Sequence, residues 1–218
     1  MDGEYIIKIL PSIIDGFLFT ITFWAIVLIV SVILALLVAS ISSLNNKIVN
    51  KLIFVYTSLI RGTPLLFQIY FVYFGLPLIF NIKTDALNSA FLAFIVSWTA
   101  YLIEVFRGSI SSVDKGQLDA AQTLGFSKWQ SMYYVVLPQA ITSAIPSITN
   151  QAVSLIYGTA ILSILGLNDV LKAARIAVIR DFRLEGFVIA GILYMLFNGS
   201  VILAFKKLEI FSSRYKKS

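Results

Sequence analysis

The chain has 218 residues, of which 59% are hydrophobic and only 13% charged, far below the roughly 25% charged share of a soluble domain, so it is expected to be a polytopic membrane protein. With no cysteine and no histidine, disulfide frameworks, zinc sites, thiol nucleophiles and Ser-His catalysis are excluded. The formal charge of +6 comes from basic residues scattered at the ends of apolar segments, which is a topology signal and not the footprint of a nucleic-acid binder.

Five membrane spans are expected. The first runs from Phe17 to Ser40 without a charge, more than the ~20 residues that cross hydrocarbon. It is too long for a signal-peptide core, and Asp2, Glu4 and Asp15 precede it where a signal would be basic. After the basic stretch Lys47 to Lys51, a tilted segment from Ile53 leads into a second span from about Thr63 to Phe80, which Pro64 and Pro77 should kink or terminate. The third span covers Ala86 to Phe106. The fourth, Ser131 to Leu165, is too long for one unbroken crossing, and Pro138 and Pro146 should divide it. The fifth covers Gly186 to Phe205.

Lysines and arginines fall on alternate sides of these spans. One side holds Lys47, Lys51, Arg61, Arg107, Lys115, Lys128, Lys206, Lys207, Arg214, Lys216 and Lys217; the other holds Lys8, Lys83, Lys172, Arg175, Arg180 and Arg183. The richer side should be cytoplasmic, which places the N-terminus outside and the C-terminus inside. The outer loop from Leu167 to Glu185 carries four of those basic residues but also Asp169, Asp181 and Glu185, so it reads as an ordered, mixed-charge segment facing a partner or vestibule. The basic tail Arg214, Lys216 and Lys217 reads as an anchor to anionic lipid. No internal repeat or linker divides the chain, and residues 1–218 are expected to form one transmembrane domain.

Between the third and fourth spans lies a polar loop of about residues 112–130. A helix from about Gly116 to Leu124 would expose Asp119, Ala120, Gln122 and Thr123 and turn Leu118 and Leu124 toward the membrane domain. Adjacent alanines, Ala120 and Ala121, leave a low surface on which a partner's groove can close, and Asp119 offers an acceptor to basic groups. Gly125 suits the left-handed position just past a helix end. No Gly-x4-Gly-Lys-Ser/Thr phosphate loop occurs, so the chain should hydrolyse no ATP itself.

The run Asp119-Ala120-Ala121, with Gly125, Val135 and Leu137-Pro138 at set spacings, resembles the cytoplasmic EAA loop of ABC importer permeases. There the pattern is Glu-Ala-Ala, three residues, Gly, nine residues, Ile, one residue, Leu-Pro. The polar amino-acid branch of that family is also similar across Arg61-Gly62-Thr63-Pro64 with Leu65 to Gln68, Tyr73 to Pro77, Ala100-Tyr101, Glu104, Phe106 to Gly108, Lys115 to Gln117, Leu137 to Ala140, Pro146 and Asn150. The resemblance implies an all-α, type I importer permease fold in the bacterial plasma membrane. It implies a second permease copy, identical or paralogous, and an extracytoplasmic solute-binding protein that delivers an amino acid. Two ATPase subunits, which carry the ATP and Mg, would sit on Asp119, Ala120, Ala121 and Gly125. No cofactor is expected on this chain. It departs from the family pattern at Tyr157 and Gly158, where Lys and Asp are usual, and at Ile141-Thr142-Ser143, where an Arg soon follows in typical members.

Two sets of residues are candidates for handling substrate. Ser97, Tyr101 and Glu104 follow i, i+4, i+7 spacing and share one helical face. Glu104 inside a span calls for a partner, either a substrate ammonium or Arg107 one turn later. Tyr157, Gly158 and Thr159 would face the dimer axis if the family geometry holds, and the loss of the usual charges there points to a neutral or long side chain such as glutamine or cystine, the bland account being close packing. Arg61, Gly62, Thr63 and Pro64 read either as the plain start of the second span, with Thr63 as helix cap and Arg61 at the headgroups, or as the hinge of an inner gate with Gln68 above it. The expected function is ATP-driven uptake of a polar amino acid by alternating access; the alternative is an ion-coupled secondary carrier or channel.

Overall fold

The computed structural model describes residues 3–43 and 46–213; the basic tail Arg214, Lys216 and Lys217 lies outside them. The described chain runs through α1 (Gly3–Ser42), α2 (Lys47–Arg61), α3 (Leu65–Phe80), α4 (Ala86–Ser111), α5 (Lys115–Thr123), α6 (Lys128–Ser131), α7 (Leu137–Gly158) with the 3-10 turn Thr159–Ser163 after it, α8 (Val170–Asp181) and α9 (Glu185–Ser213). No strand occurs among the described residues. Helices α1, α4 and α9 are each long and apolar enough to cross a membrane, and α2 with α3 make a fourth crossing if they form one bent span. At 1.5 Å per residue the 40-residue α1 is about 60 Å long, twice the ~30 Å of hydrocarbon. Helix formation therefore starts well before Phe17, because the preceding residues pack: Tyr5, Ile9 and Ile13 recur every fourth residue and are buried.

The chain forms two compact units, and α1, α4, α7 and α9 each contribute to both. One unit comprises residues 1–29, 65–95 and 152–202. Its core sets Tyr5, Ile9 and Ile13 of α1 against Val170, Ala173, Ala174 and Ala177 of α8 and Ile189 and Ala190 of α9. The alanines let the helix axes come close, and Gly16 takes this furthest, since a Cβ there would lie 2.8 Å from the Asp169 carbonyl oxygen. Aromatic rings fill the rest: Phe23 stacks on Phe91 at 4.4 Å and meets Phe94 edge-on at 5.0 Å, and Trp24 meets Phe197 at 5.1 Å. The Trp24 indole also donates to the Ala152 carbonyl at 2.8 Å, giving a buried polar edge the partner it needs.

The second unit comprises the described residues within 30–64, 96–151 and 203–218. Ala35 and Ala39 of α1, Ile53 of α2, Leu102, Ile103 and Phe106 of α4, and Ala144 and Ile148 of α7 form its core. Cross-helix hydrogen bonds fasten it: the Tyr56 hydroxyl donates to the Val96 carbonyl at 2.7 Å, and the Trp98 indole to the Gln151 carbonyl at 3.1 Å.

Of the four prolines expected to kink, end or divide the spans, Pro64 stands at a break and Pro146 divides nothing. The helix runs on through Pro77 and Pro138, each preceded by a π-helical turn, Phe71–Gly75 and Met132–Val136. The Leu76 and Leu137 amides reach back five residues, to the Phe71 and Met132 carbonyls. A proline ring collides with the carbonyl four residues before it, and the wider turn removes that conflict. Pro146 lies inside α7, which runs on past it without a break. Only Pro64 coincides with a break, between α2 and α3.

Candidate functional site

The polar loop folds into a helix defined by its ends. The Asp114 carboxylate accepts the Gly116 amide at 2.6 Å and starts α5. At the other end Gly125 adopts φ +82°, its amide donating to Gln122 and that of Phe126 to Ala121 at 2.9 and 3.0 Å. This pair of back-bonds around a left-handed glycine satisfies the last free carbonyls. Immediately afterwards Ser127 and Gln130 form a reciprocal capping box that starts α6.

Asp119 and Ala120 are exposed and Leu118 is half-buried, while Ala121 is buried. Leu124, expected to face inward, is 76% exposed. It lies past the last helical residue, where the turn at Gly125 has already taken the chain off the amphipathic face, and Ala121 fills the inward position instead. Surrounding α5 are apolar residues that loop composition did not single out: Leu124, Trp129, Tyr133 and Tyr134 are all exposed. In the π-helical turn Met132 and Val136 point inward and the two tyrosines outward.

Two groups of residues argued separately from sequence come together in the second unit. Arg107 donates to Glu104 at 3.1 Å, and the Arg61 guanidinium stands 4.0 Å from the other Glu104 oxygen and 5.6 Å from the centre of the Tyr101 ring. Glu104 and Tyr101 are half-buried, whereas Ser97 on the same face is fully packed. The Thr63 hydroxyl donates back to the Leu59 and Ile60 carbonyls at 3.1 and 3.2 Å, at the end of α2. Gly62 and Pro64 are exposed between the two helices, and Gln68 is buried in α3.

Along α7 the surface differs from that of the other long helices. Ser143, Ser147, Asn150, Ser154 and Tyr157 are exposed at spacings of four, three, four and three, which align them on one helical face. The exposed side chains of α1, by contrast, include Ile26, Ile29, Ile33, Leu34 and Leu37. A polar stripe of this kind is why α7, free of charges, is not among the helices apolar enough to cross. Tyr157 ends the stripe and Gly158 is half-buried, but Thr159 points inward, its hydroxyl bonded to the Ile156 carbonyl at 2.6 Å.

An all-helical membrane chain with a doubly capped, exposed helix between its long apolar ones is of the permease class, here an ABC importer permease subunit whose ATP hydrolysis is done by a separate subunit. Residues 31–209 match the family of binding-protein-dependent transport system inner membrane components, and the chain belongs to that family. It is 37% identical to a putative glutamine transport system permease protein of Rickettsia prowazekii over 82% of this chain and 83% of the relative. An arginine transport system permease protein of Bacillus subtilis is 34% identical over 89% of each. Among solved structures, an amino acid ABC transporter with histidines superposes with a TM-score of 0.85 at 28% identity, covering 96% of this chain and 98% of that one. A multi-pass membrane protein that works with a further permease, ATPases and a binding protein is the coarse picture these likenesses carry.

Proposed function

We propose that the chain moves a polar, uncharged amino acid of the glutamine class into the cytoplasm by alternating access, with its N-terminus outside and its C-terminus inside. The observation that carries the reading is the rigid, doubly capped α5 with Asp119 and Ala120 exposed at its surface. Two ATPase subunits grip this helix and its counterpart on a second permease copy, and their closure on ATP moves the attached spans. Exposed Leu124 and Trp129 supply apolar area beside the grip.

Substrate passes along the polar face of α7, where the second copy presents the same face. Support for an uncharged substrate comes from Tyr157 and Gly158 standing on this path with no ionic group between them, and from relatives named for glutamine; the relative named for arginine makes the choice one for experiment. Arg61, Tyr101 and Glu104 form the inner gate. The Arg61 cation rests between a carboxylate and an aromatic face, a setting that suits an α-ammonium equally well. Movement at Gly62–Pro64 withdraws Arg61 and leaves Glu104 and Tyr101 to the substrate.

Competition for ATP-driven uptake by the reconstituted permease, ATPase and binding protein tests the substrate class. Glutamine should compete at least tenfold better than arginine or lysine, and the reverse order would refute the assignment.

A further inference from the structure

The segment joining α8 to α9 presents the aromatic ring of Phe182 to solvent from a left-handed backbone. Phe182 is 93% exposed and holds φ 53°, ψ 37°, a left-handed conformation that a bulky residue keeps only where its surroundings determine it. Ion pairs stand on both sides. Arg180 donates to both oxygens of Asp181 at 2.9 and 2.6 Å, and Arg183 donates twice to one oxygen of Glu185 at 3.2 and 2.7 Å. Tyr5 ties the two together: its hydroxyl donates to Asp181 at 2.9 Å, and its ring lies 4.1 Å below the Arg183 guanidinium. Tyr5 is itself buried in the core with Ala177, so the turn is anchored to packed helix. Hydrogen bonding from Arg180 holds the Asp181 carboxyl at about 2, and the pairing therefore persists at any pH a cell surface meets.

In both pairs the arginine is the more exposed partner. In the first pair the arginine side chain is 54% exposed against 22% for the aspartate, and in the second 33% against 16% for the glutamate. We propose that the turn from Arg180 to Glu185 is the seat of the solute-binding protein, Phe182 entering an apolar depression on that protein and the arginines meeting an acidic rim around it. The proposal rests on the orientation proposed above, with the N-terminus outside, which puts the segment of α8 outside as well. A lipid-facing anchor gains little from a backbone held left-handed between two ion pairs, whereas a protein pocket gains affinity from an anchor whose backbone is ordered in advance. The guanidinium charge steers the approach of an acidic partner.

The test uses the whole permease–ATPase complex in nanodiscs, with ATP hydrolysis followed against the concentration of its glutamine-loaded solute-binding protein. In Phe182→Ala and Phe182→Gly the half-saturating concentration should rise tenfold or more, with hydrolysis in the absence of the binding protein unchanged. The glycine variant relieves the left-handed backbone, so a loss there reports the missing ring and not a damaged fold. Arg180→Glu should slow association and flatten its salt dependence. Unchanged half-saturation in both Phe182 variants overturns the proposal, as does a loss that appears only when anionic lipid is varied, which would assign the ring to the membrane. A wild-type complex that no binding protein stimulates would instead refute the binding-protein-dependent import under Proposed function.

Discussion

Asp169 is fully buried, yet its two oxygens accept the Leu171 and Lys172 amides at 3.2 Å each and so start α8. Burial pushes its carboxyl up to about 6, with the Lys172 and Leu171 amides and the Arg175 charge opposing. Because the folded value lies above the unfolded one of about 3.9, the protonated group contributes stability that is fully present below pH 4 and lost as pH rises through 6. Asp169→Asn keeps a capping oxygen and removes the buried charge, so at pH 8 it should melt at or above the wild type, the advantage disappearing below pH 4. Asp169→Ala removes the cap and should cost about 1 kcal/mol. Equal losses in both variants at pH 8 would contradict this account of the site. Glu104→Gln tests the gate: the Michaelis constant for uptake should rise about tenfold, since one charge-assisted contact carries about 1.5 kcal/mol or more, and a normal value would remove Glu104 from the path. At this scale the sequence was readable where one residue determines its own backbone, as Gly125 does. It was not readable where a side chain's direction depends on a helix end, as that of Leu124 depended on where α5 stops.

Among the elements, α5 separates grip from packing. Ala120→Arg, on the exposed side, should abolish co-purification of the ATPase while the permease still folds and inserts. Ala121→Trp forces a large ring into a filled position, and overpacking of this kind costs about 1–3 kcal/mol; lower expression and a lower melting temperature in detergent are expected. Retained ATPase attachment in Ala120→Arg would show that the helix face has been misassigned. The long apolar runs of α1, α4 and α9 were plain in the sequence because hydropathy over 20 residues is a sum that local detail hardly alters. The π-helical turns before Pro77 and Pro138 were not, since a proline in a sequence signals a missing amide and a steric conflict but not which backbone adjustment resolves them. The continuity of α7 through Pro146 is a case of packing overriding a local break signal.

For the whole molecule, the α7 stripe makes a prediction that needs a second copy. The chain has no cysteine, so single substitutions give clean cross-linking. If the permease pairs with itself, Ser147→Cys should cross-link to its counterpart in membranes, while Ile33→Cys on the apolar surface of α1 should not. Equal yields would place the dimer contact elsewhere. Family membership was legible from loop spacing alone, since the distances from Asp119-Ala120-Ala121 to Gly125 and Leu137-Pro138 survive substitutions at individual positions. The polar stripe escaped because small hydroxyl residues scattered through an apolar run acquire a common direction only once the helix is continuous. The central claim is that a separate motor drives these helices through α5. Its most direct measurement is uptake of labelled glutamine into proteoliposomes containing the permease and binding protein, with and without the ATPase and ATP. Uptake only when both are present is the predicted result; uptake driven by a sodium or proton gradient without the ATPase would contradict it.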